Sequence, residues 1–146
     1  MSDAVTIAEA SGTEREAVET WLREFNYQEY ESFMRALAEG ARKELFIVAT
    51  LEDGSPVGGL SGSTLFDWLE IDLMAVSPDH RRRGVGRQLV AKGEKIARKA
   101  NCRYVCVDTV TYQAPDFYRR LGFREVGRLP NWGSQGNEKF IFMKEL

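Results

Sequence analysis

The chain is poor in the residues on which most metal and redox chemistry depends. It holds one histidine and two cysteines among 146 residues. A relay with a second histidine is therefore excluded, and no metal site is expected from His80, Cys102 and Cys106. The two cysteines stand four apart in Cys-Arg-Tyr-Val-Cys. In a strand they would share a face but lie too far apart along it to bridge, so both read as free thiols of a cytoplasmic protein. No apolar run approaches the length of about 18 residues that a membrane span needs. No basic-then-apolar leader is present either, and a cytoplasmic location with no membrane partner is the expectation. Repeats, low-complexity tracts and an interdomain linker are also missing. A single domain over residues 1–146 is expected, long enough to bury a real core.

Net charge is only −2, but it is unevenly spread. From Met1 to Glu44 there are ten acids against five bases, and from Arg81 to Arg103 nine bases against one acid, Glu94. The basic block suits an anionic cofactor, and the acidic first third suits a cationic substrate. No aromatic platform or nucleic-acid motif accompanies the basic block, so no nucleic-acid partner is expected.

That block opens with Arg81-Arg-Arg-Gly-Val-Gly86. Before it, Leu69 to Val76 has the apolar, β-branched character of a buried strand, which Pro78 ends. After it, Val85, Leu89, Gly93, Ile96, Ala97 and Ala100 fall at helical spacing on one face. A helix opening on such a turn presents unpaired N–H groups and its positive dipole end. Gly84 and Gly86 would let those amides approach a ligand, with Arg81, Arg82, Arg83 and Arg87 around them. The pattern fits a phosphorylated ligand.

Along the chain, Val5 to Ala8 reads as a first strand, and Ser11 or Thr13 as the cap of the helix after it. Ala17, Val18, Trp21, Leu22 and Phe25 form its stripe, Asn26 interrupts it as a cap, and a second helix runs to a stop at Gly40. Leu45–Leu51 and Val57–Leu65 read as a hairpin around Glu-Asp-Gly-Ser, with Gly58, Gly59 and Gly62 signalling a bulge or close backbone approach. Tyr104–Val110 is a buried strand, Ala114–Leu121 a short helix ended by Gly122, and Phe123–Leu129 and Lys139–Met143 the last strands. Pro130 to Asn137 reads as a loop over a cleft. The order β-α-α-β-β-β-α-β-α-β-β describes an α/β or α+β fold with helices on both faces of a sheet.

Two segments in this order resemble the GNAT superfamily of acetyl-CoA-dependent N-acetyltransferases. Leu73 to Gly86, Leu-Met-Ala-Val-Ser-Pro-Asp-His-Arg-Arg-Arg-Gly-Val-Gly, is similar to the family's coenzyme A pyrophosphate-binding strand, loop and helix. Ala114 to Phe123, Ala-Pro-Asp-Phe-Tyr-Arg-Arg-Leu-Gly-Phe, is similar to its later tyrosine-bearing helix. The stretch Asp108 to Tyr118 further resembles a subgroup of small bacterial members. The resemblance implies a single mixed, mostly antiparallel sheet of about seven strands. It also implies acetyl transfer from acetyl-CoA to a primary amine of a small molecule or peptide.

A base must deprotonate such an amine, whose pKa lies near ~10.4 for a lysine. Glu70 and Asp72 alternate on one strand and so share a face. The resemblance gives Glu70 the role of base, with Asp72 as substitute or amine-binding partner. It gives Tyr118 that of proton donor to the departing thiolate. It assigns cofactor contact to Met74, Ala75 and Val76, to Arg81, Arg82, Arg83, Gly84, Val85, Gly86 and Arg87, and to Ala114 and Tyr118. Thr111 stands where many members carry a cofactor-holding asparagine, and Thr111 or Gln113 is a candidate for that task. Candidate acceptor walls are Trp21, Phe25, Asn26, Tyr27, Tyr30 and Trp132, whose aromatics favour a cationic amine. A homodimer through the late strands or first helices is also an expectation. A competing reading is a coenzyme A-binding regulatory or scaffold protein without efficient catalysis.

Overall fold

The computed structural model describes residues 4–10 and 12–146. They fall into two compact units, Met1–Ala41 and Arg42–Leu146. In the first, helix α1 covers Arg15–Glu29 and α2 covers Glu31–Ala38. The cap position of α1 falls on Glu14, whose side chain makes no cap hydrogen bond, and not on Thr13; Ser11 lies outside the described residues. Asn26 continues the helix, and the break comes at Tyr30, whose φ is −147° and whose N–H donates to the Asn26 carbonyl. Asn26 is therefore no cap. Gly40 ends α2 as expected, with φ +80°. The Gly40 and Ala41 N–H groups donate back to Leu37 and Ala36, closing the last carbonyls in a Schellman turn.

The second unit is built on one open sheet of six strands: β1 Lys43–Thr50, β2 Pro56–Leu65, β3 Trp68–Val76, β4 Tyr104–Val110, β5 Arg124–Leu129 and β6 Lys139–Glu145. Their spatial order is β1-β2-β3-β4-β6-β5. All neighbours are antiparallel except β3 and β4. That parallel pair needs a crossover, and α3, Val85–Lys99, supplies it. A short helix, α4 Pro115–Arg120, follows β4. The expected strand Val5–Ala8 is not one, and the sheet has six strands instead of seven. Its β-branched alternation carries propensity but pairs with no ladder, and Val5 and Ile7 are exposed.

The core gathers Leu60 of β2, Leu69 and Ile71 of β3, Val105 and Val107 of β4, Phe140 and Phe142 of β6 and Leu89, Val90 and Ala97 of α3. Each fully buried aliphatic or phenyl group there contributes about 1.5–3 kcal/mol. Glu94 is the one acid that α3 buries; Lys144 meets it at 2.6 Å. The glycine signals of β2 have the expected cause. A Cβ on Gly62 would lie 2.2 Å from the Glu70 carbonyl oxygen, and one on Gly58 would lie 3.1 Å from that of Ala75.

Candidate active site

The parallel pairing of β3 with β4 runs only from Trp68↔Tyr104 to Ile71↔Val107. Beyond it the two strands part. Leu73–Val76 keep β2 on one edge, and Asp108–Val110 keep β6. A bulge sits at the parting point: Gly62 pairs with Ile71 but Ser61 with Leu73, so Asp72 is an extra residue on β3. Bulges of this kind bend a strand and re-aim its side chains. Strict alternation therefore ends at Ile71. Leu73 is exposed, and Met74 joins the side chains packed against the core. The sequence reading of one shared face for Glu70 and Asp72 assumed an unbroken strand.

Between the parted strands lies a cleft of about 910 Å³. Asp72 to Val76 form one wall, Asp108, Thr109, Gln113 and Ala114 the other, and Tyr118 and Phe117 part of the lining. Its mouth meets the arginine turn. Here Arg81 Nε donates to the Val76 carbonyl at 3.0 Å. Ser77 and His80 join side chains at 2.9 Å. Arg82 and Gly84 both take positive φ, +59° and +81°, before α3 starts. The N–H groups of Val85, Gly86 and Arg87 then have no acceptor within the helix, and the first turn carries no acid. Arg81, Arg82 and Arg87 line the cleft and Arg83 does not, while Arg120 of α4 does. Gly86 lines the cleft and carries a further constraint: a Cβ there would lie 3.2 Å from the Phe117 ring. It lets α3 and α4 pack closely. A second depression of about 610 Å³ shares Arg87, Phe117 and Arg120 and adds Glu94 and Lys144.

Helix α4 ends as Gly122 predicts, with N–H groups of Gly122 and Phe123 returning to Arg119 and Tyr118. This seats Tyr118 against Phe117, Phe123 and Phe142, at 4% exposure. Burial, and then the Asp108 carboxylate, push its phenol up to about 12. Thr111 is not in the cleft. Its N–H and hydroxyl donate to the Glu138 carbonyl at 3.0 and 3.3 Å, and its hydroxyl accepts the Glu138 N–H at 2.8 Å. The threonine is occupied in strapping the loop before β6. Gln113, whose carbonyl accepts from Thr109 and Val110, stands in the wall instead.

On the side of the sheet that carries Glu70, acids converge. Glu70 is exposed, faces Arg42 Nη1 at 3.9 Å and is absent from the cleft lining. Cys106 lies beside it in register. Burial first, then Glu70, Asp72 and Asp108, push that thiol up to about 11. Asp108, which no local signal marked, pairs with Lys139 Nζ at 3.3 Å. The same ammonium sits 4.5 Å over the Trp132 ring. Neither Trp132 nor Lys139 is part of the cleft lining, which Lys139 meets through Asp108. The other proposed acceptor walls, Trp21, Phe25, Asn26, Tyr27 and Tyr30, belong to the first unit, where Tyr30 stacks on Phe33 at 5.4 Å. Among the described residues no His, Cys, Asp and Glu group is placed to hold a metal, and no helix is long and apolar enough to cross a membrane.

Comparison with known proteins agrees with this geometry. The chain is 36% identical over 96 residues to blasticidin-S acetyltransferase of Streptomyces morookaense, covering 65% of this chain and 70% of that one. The crystal structure of an acetyltransferase from Bacillus cereus matches with a TM-score of 0.77 and 29% identity, over 97% of this chain and 98% of the other. An aminoglycoside 6'-N-acetyltransferase solved with coenzyme A shares the fold at a TM-score of 0.61 and 15% identity, over 97% of each chain. The acetyltransferase (GNAT) family model matches residues 13–123, and with the parted strands and arginine turn inside that span, the chain belongs to the GNAT acetyltransferase family.

Proposed function

We propose that this chain is an N-acetyltransferase that moves the acetyl group of acetyl-CoA to a primary amine of a small molecule or peptide, by direct attack in a ternary complex. Residues 1–146 act as one catalytic domain. The observation that carries this reading is the parting of β3 from β4 directly above the arginine turn. The open edges leave backbone donors and acceptors for an extended, amide-bearing arm. The α3 N-terminus with Arg81, Arg82 and Arg87 offers charge and N–H groups for a pyrophosphate. Arg120 and the adjoining depression have room for a nucleotide end. Acetyl-CoA, whose relative-bound form is coenzyme A in the aminoglycoside enzyme, supplies an activated acetyl thioester.

The residues divide the remaining work. Asp72, in the cleft wall, holds the acceptor ammonium. Glu70 takes its proton, directly or through one water. The backbone around Met74 to Val76 presents donors to the carbonyl. Tyr118 donates a hydrogen bond to the leaving sulfur. Burial holds its phenol at about 12, so Tyr118 keeps its proton at neutral pH and faces the sulfur as a donor.

Thermal unfolding of cofactor-stripped protein across an acetyl-CoA titration, with ATP and NAD as controls, tests the cofactor. A saturable shift of about 2.7 kcal/mol at hundredfold excess over Kd is expected; no shift at millimolar acetyl-CoA overturns the proposal. An acceptor panel follows, starting with blasticidin S, for which the Streptomyces relative is named. The second reading, cofactor binding without efficient chemistry, draws on Thr111, whose hydroxyl is occupied by Glu138. Binding with no turnover across the panel would favour it.

A further inference from the structure

A primary amine stands beside the cleft, held by the wall residue Asp108. Lys139 projects from the first residue of β6, paired in register with Val110, the last residue of β4. Its ammonium lies 3.3 Å from an Asp108 oxygen and 4.5 Å from the Trp132 ring centroid, with only 23% of the side chain exposed. Asp108 itself lines the cleft in the first position beyond the paired part of β3 and β4. A carboxylate and an indole face around an ammonium are the partners that an incoming cationic acceptor would want.

We infer that Lys139 is a self-acetylation site: the enzyme transfers an acetyl group from acetyl-CoA to the Nζ of its own Lys139. This rests on the acetyl-transfer reading proposed above. The balance is simple. The ammonium gives one proton to Asp108 and thence to solvent. The freed lone pair forms the N–C bond to the acetyl carbonyl as the C–S bond breaks. The second proton leaves nitrogen, and coenzyme A departs as its thiol. An acetylated Lys139 carries no charge. Asp108 loses its partner, Trp132 loses its cation, and the carboxylate becomes available to an external ammonium. The loop from Pro130 to Asn137 stays attached, because the three hydrogen bonds between Thr111 and Glu138 do not involve Lys139. Modification would thereby convert Asp108 in the cleft wall from a carboxylate paired with an internal cation to one that attracts a cation from solution.

Residue-resolved mass spectrometry tests this by comparing two acetyl donors on the folded protein. With a small acetylating ester and no cofactor, the exposed Lys43, Lys92, Lys95 and Lys99 should react faster than the shielded Lys139. With acetyl-CoA the order should reverse, Lys139 leading at a rate constant independent of protein concentration. Asp108→Asn should slow the Lys139 reaction with acetyl-CoA, and Lys139→Arg should remove that product while leaving the background at other lysines. Lys139 lagging the exposed lysines with both donors overturns the inference. So does an order that reverses equally in urea. The acetyl-CoA thermal shift in the same sample separates the failures: a shift without Lys139 acetylation sinks only this inference, and no shift sinks the cofactor reading with it.

Discussion

Between Trp68 and Ile71, β3 is hydrogen-bonded on both edges and carries Leu69 and Ile71, 0% and 4% exposed, into the core. Between Asp72 and Val76 the same strand keeps β2 alone, and its open edge faces a cleft. Apolar character hardly changes across that boundary: Trp68, Leu69 and Ile71 stand on one side and Leu73, Met74, Ala75 and Val76 on the other. What changes is the partner. The first half satisfies its backbone internally and contributes stability; the second leaves donors and acceptors for a ligand to satisfy. The hinge between them is one extra residue, Asp72, opposite the Ser61–Gly62 step, where Gly62 leaves no room for a Cβ.

The sharpest break of this contrast is a pair of truncations four residues apart. Leu69→Ala should lower unfolding free energy by about 3 kcal/mol, as a cavity in a closed core does. Leu73→Ala, on a side chain 56% exposed, should stay within about 1 kcal/mol. Urea denaturation measures both. Equal losses would mean that the open half is as much core as the paired half.

The two acids flanking Ile71 divide along the same line. Glu70 lies in the paired half, Asp72 at the bulge. Glu70→Gln should lower kcat/KM by about a hundredfold, roughly 2.7 kcal/mol, with the acetyl-CoA thermal shift intact. Asp72→Asn should act mainly on KM for a cationic acceptor. Reversed behaviour would move the base to the cleft wall. Smaller again is the arginine contrast. Arg120→Gln should weaken acetyl-CoA binding by about tenfold, while Arg83→Gln, outside the lining, should change it by less than about twofold. Isothermal titration at fixed salt reads both.

How much of this was legible in the sequence follows from how local each signal is. Gly40 and Gly122 stop helices through hydrogen bonds to residues just before them, so both stops are legible. The arginine turn and the glycines of β2 were visible for the same reason. Arg120 and Asp108 were not. Their importance comes from β4 lying beside β3 across the α3 crossover, a neighbourhood that no spacing encodes. Thr111 was placed in the site by position in a motif, yet its partner Glu138 is 27 residues away and decides otherwise. The bulge at Asp72 has a single sequence signal, its counterpart Gly62. A glycine in one strand announces a close approach without saying which partner residue is the extra one. Val5–Ala8 shows the converse, strand propensity with no strand to pair with.

The smallest effect probes the tyrosine that closes the open half. Burial raises the Tyr118 phenol from 10.0 to about 12. The folded state therefore holds its proton where the unfolded chain has released it. The linked stability is fully present below pH ~10 and is lost as pH rises through the interval up to about 12. Wild type should consequently lose up to about 1 kcal/mol relative to Tyr118→Phe by about pH 10.5, measured by urea unfolding. Cys106 adds a second loss that begins lower, since its thiol is raised from 9.0 to about 11. The comparison belongs in a Cys106→Ser background, where the Cys102 thiol, also raised by burial, contributes equally to both proteins and cancels. Parallel curves for the two proteins in that background would mean that water reaches the hydroxyl freely. Tyr118 would then sit in a wetter cleft, and its role as a shielded donor to the leaving sulfur would fall.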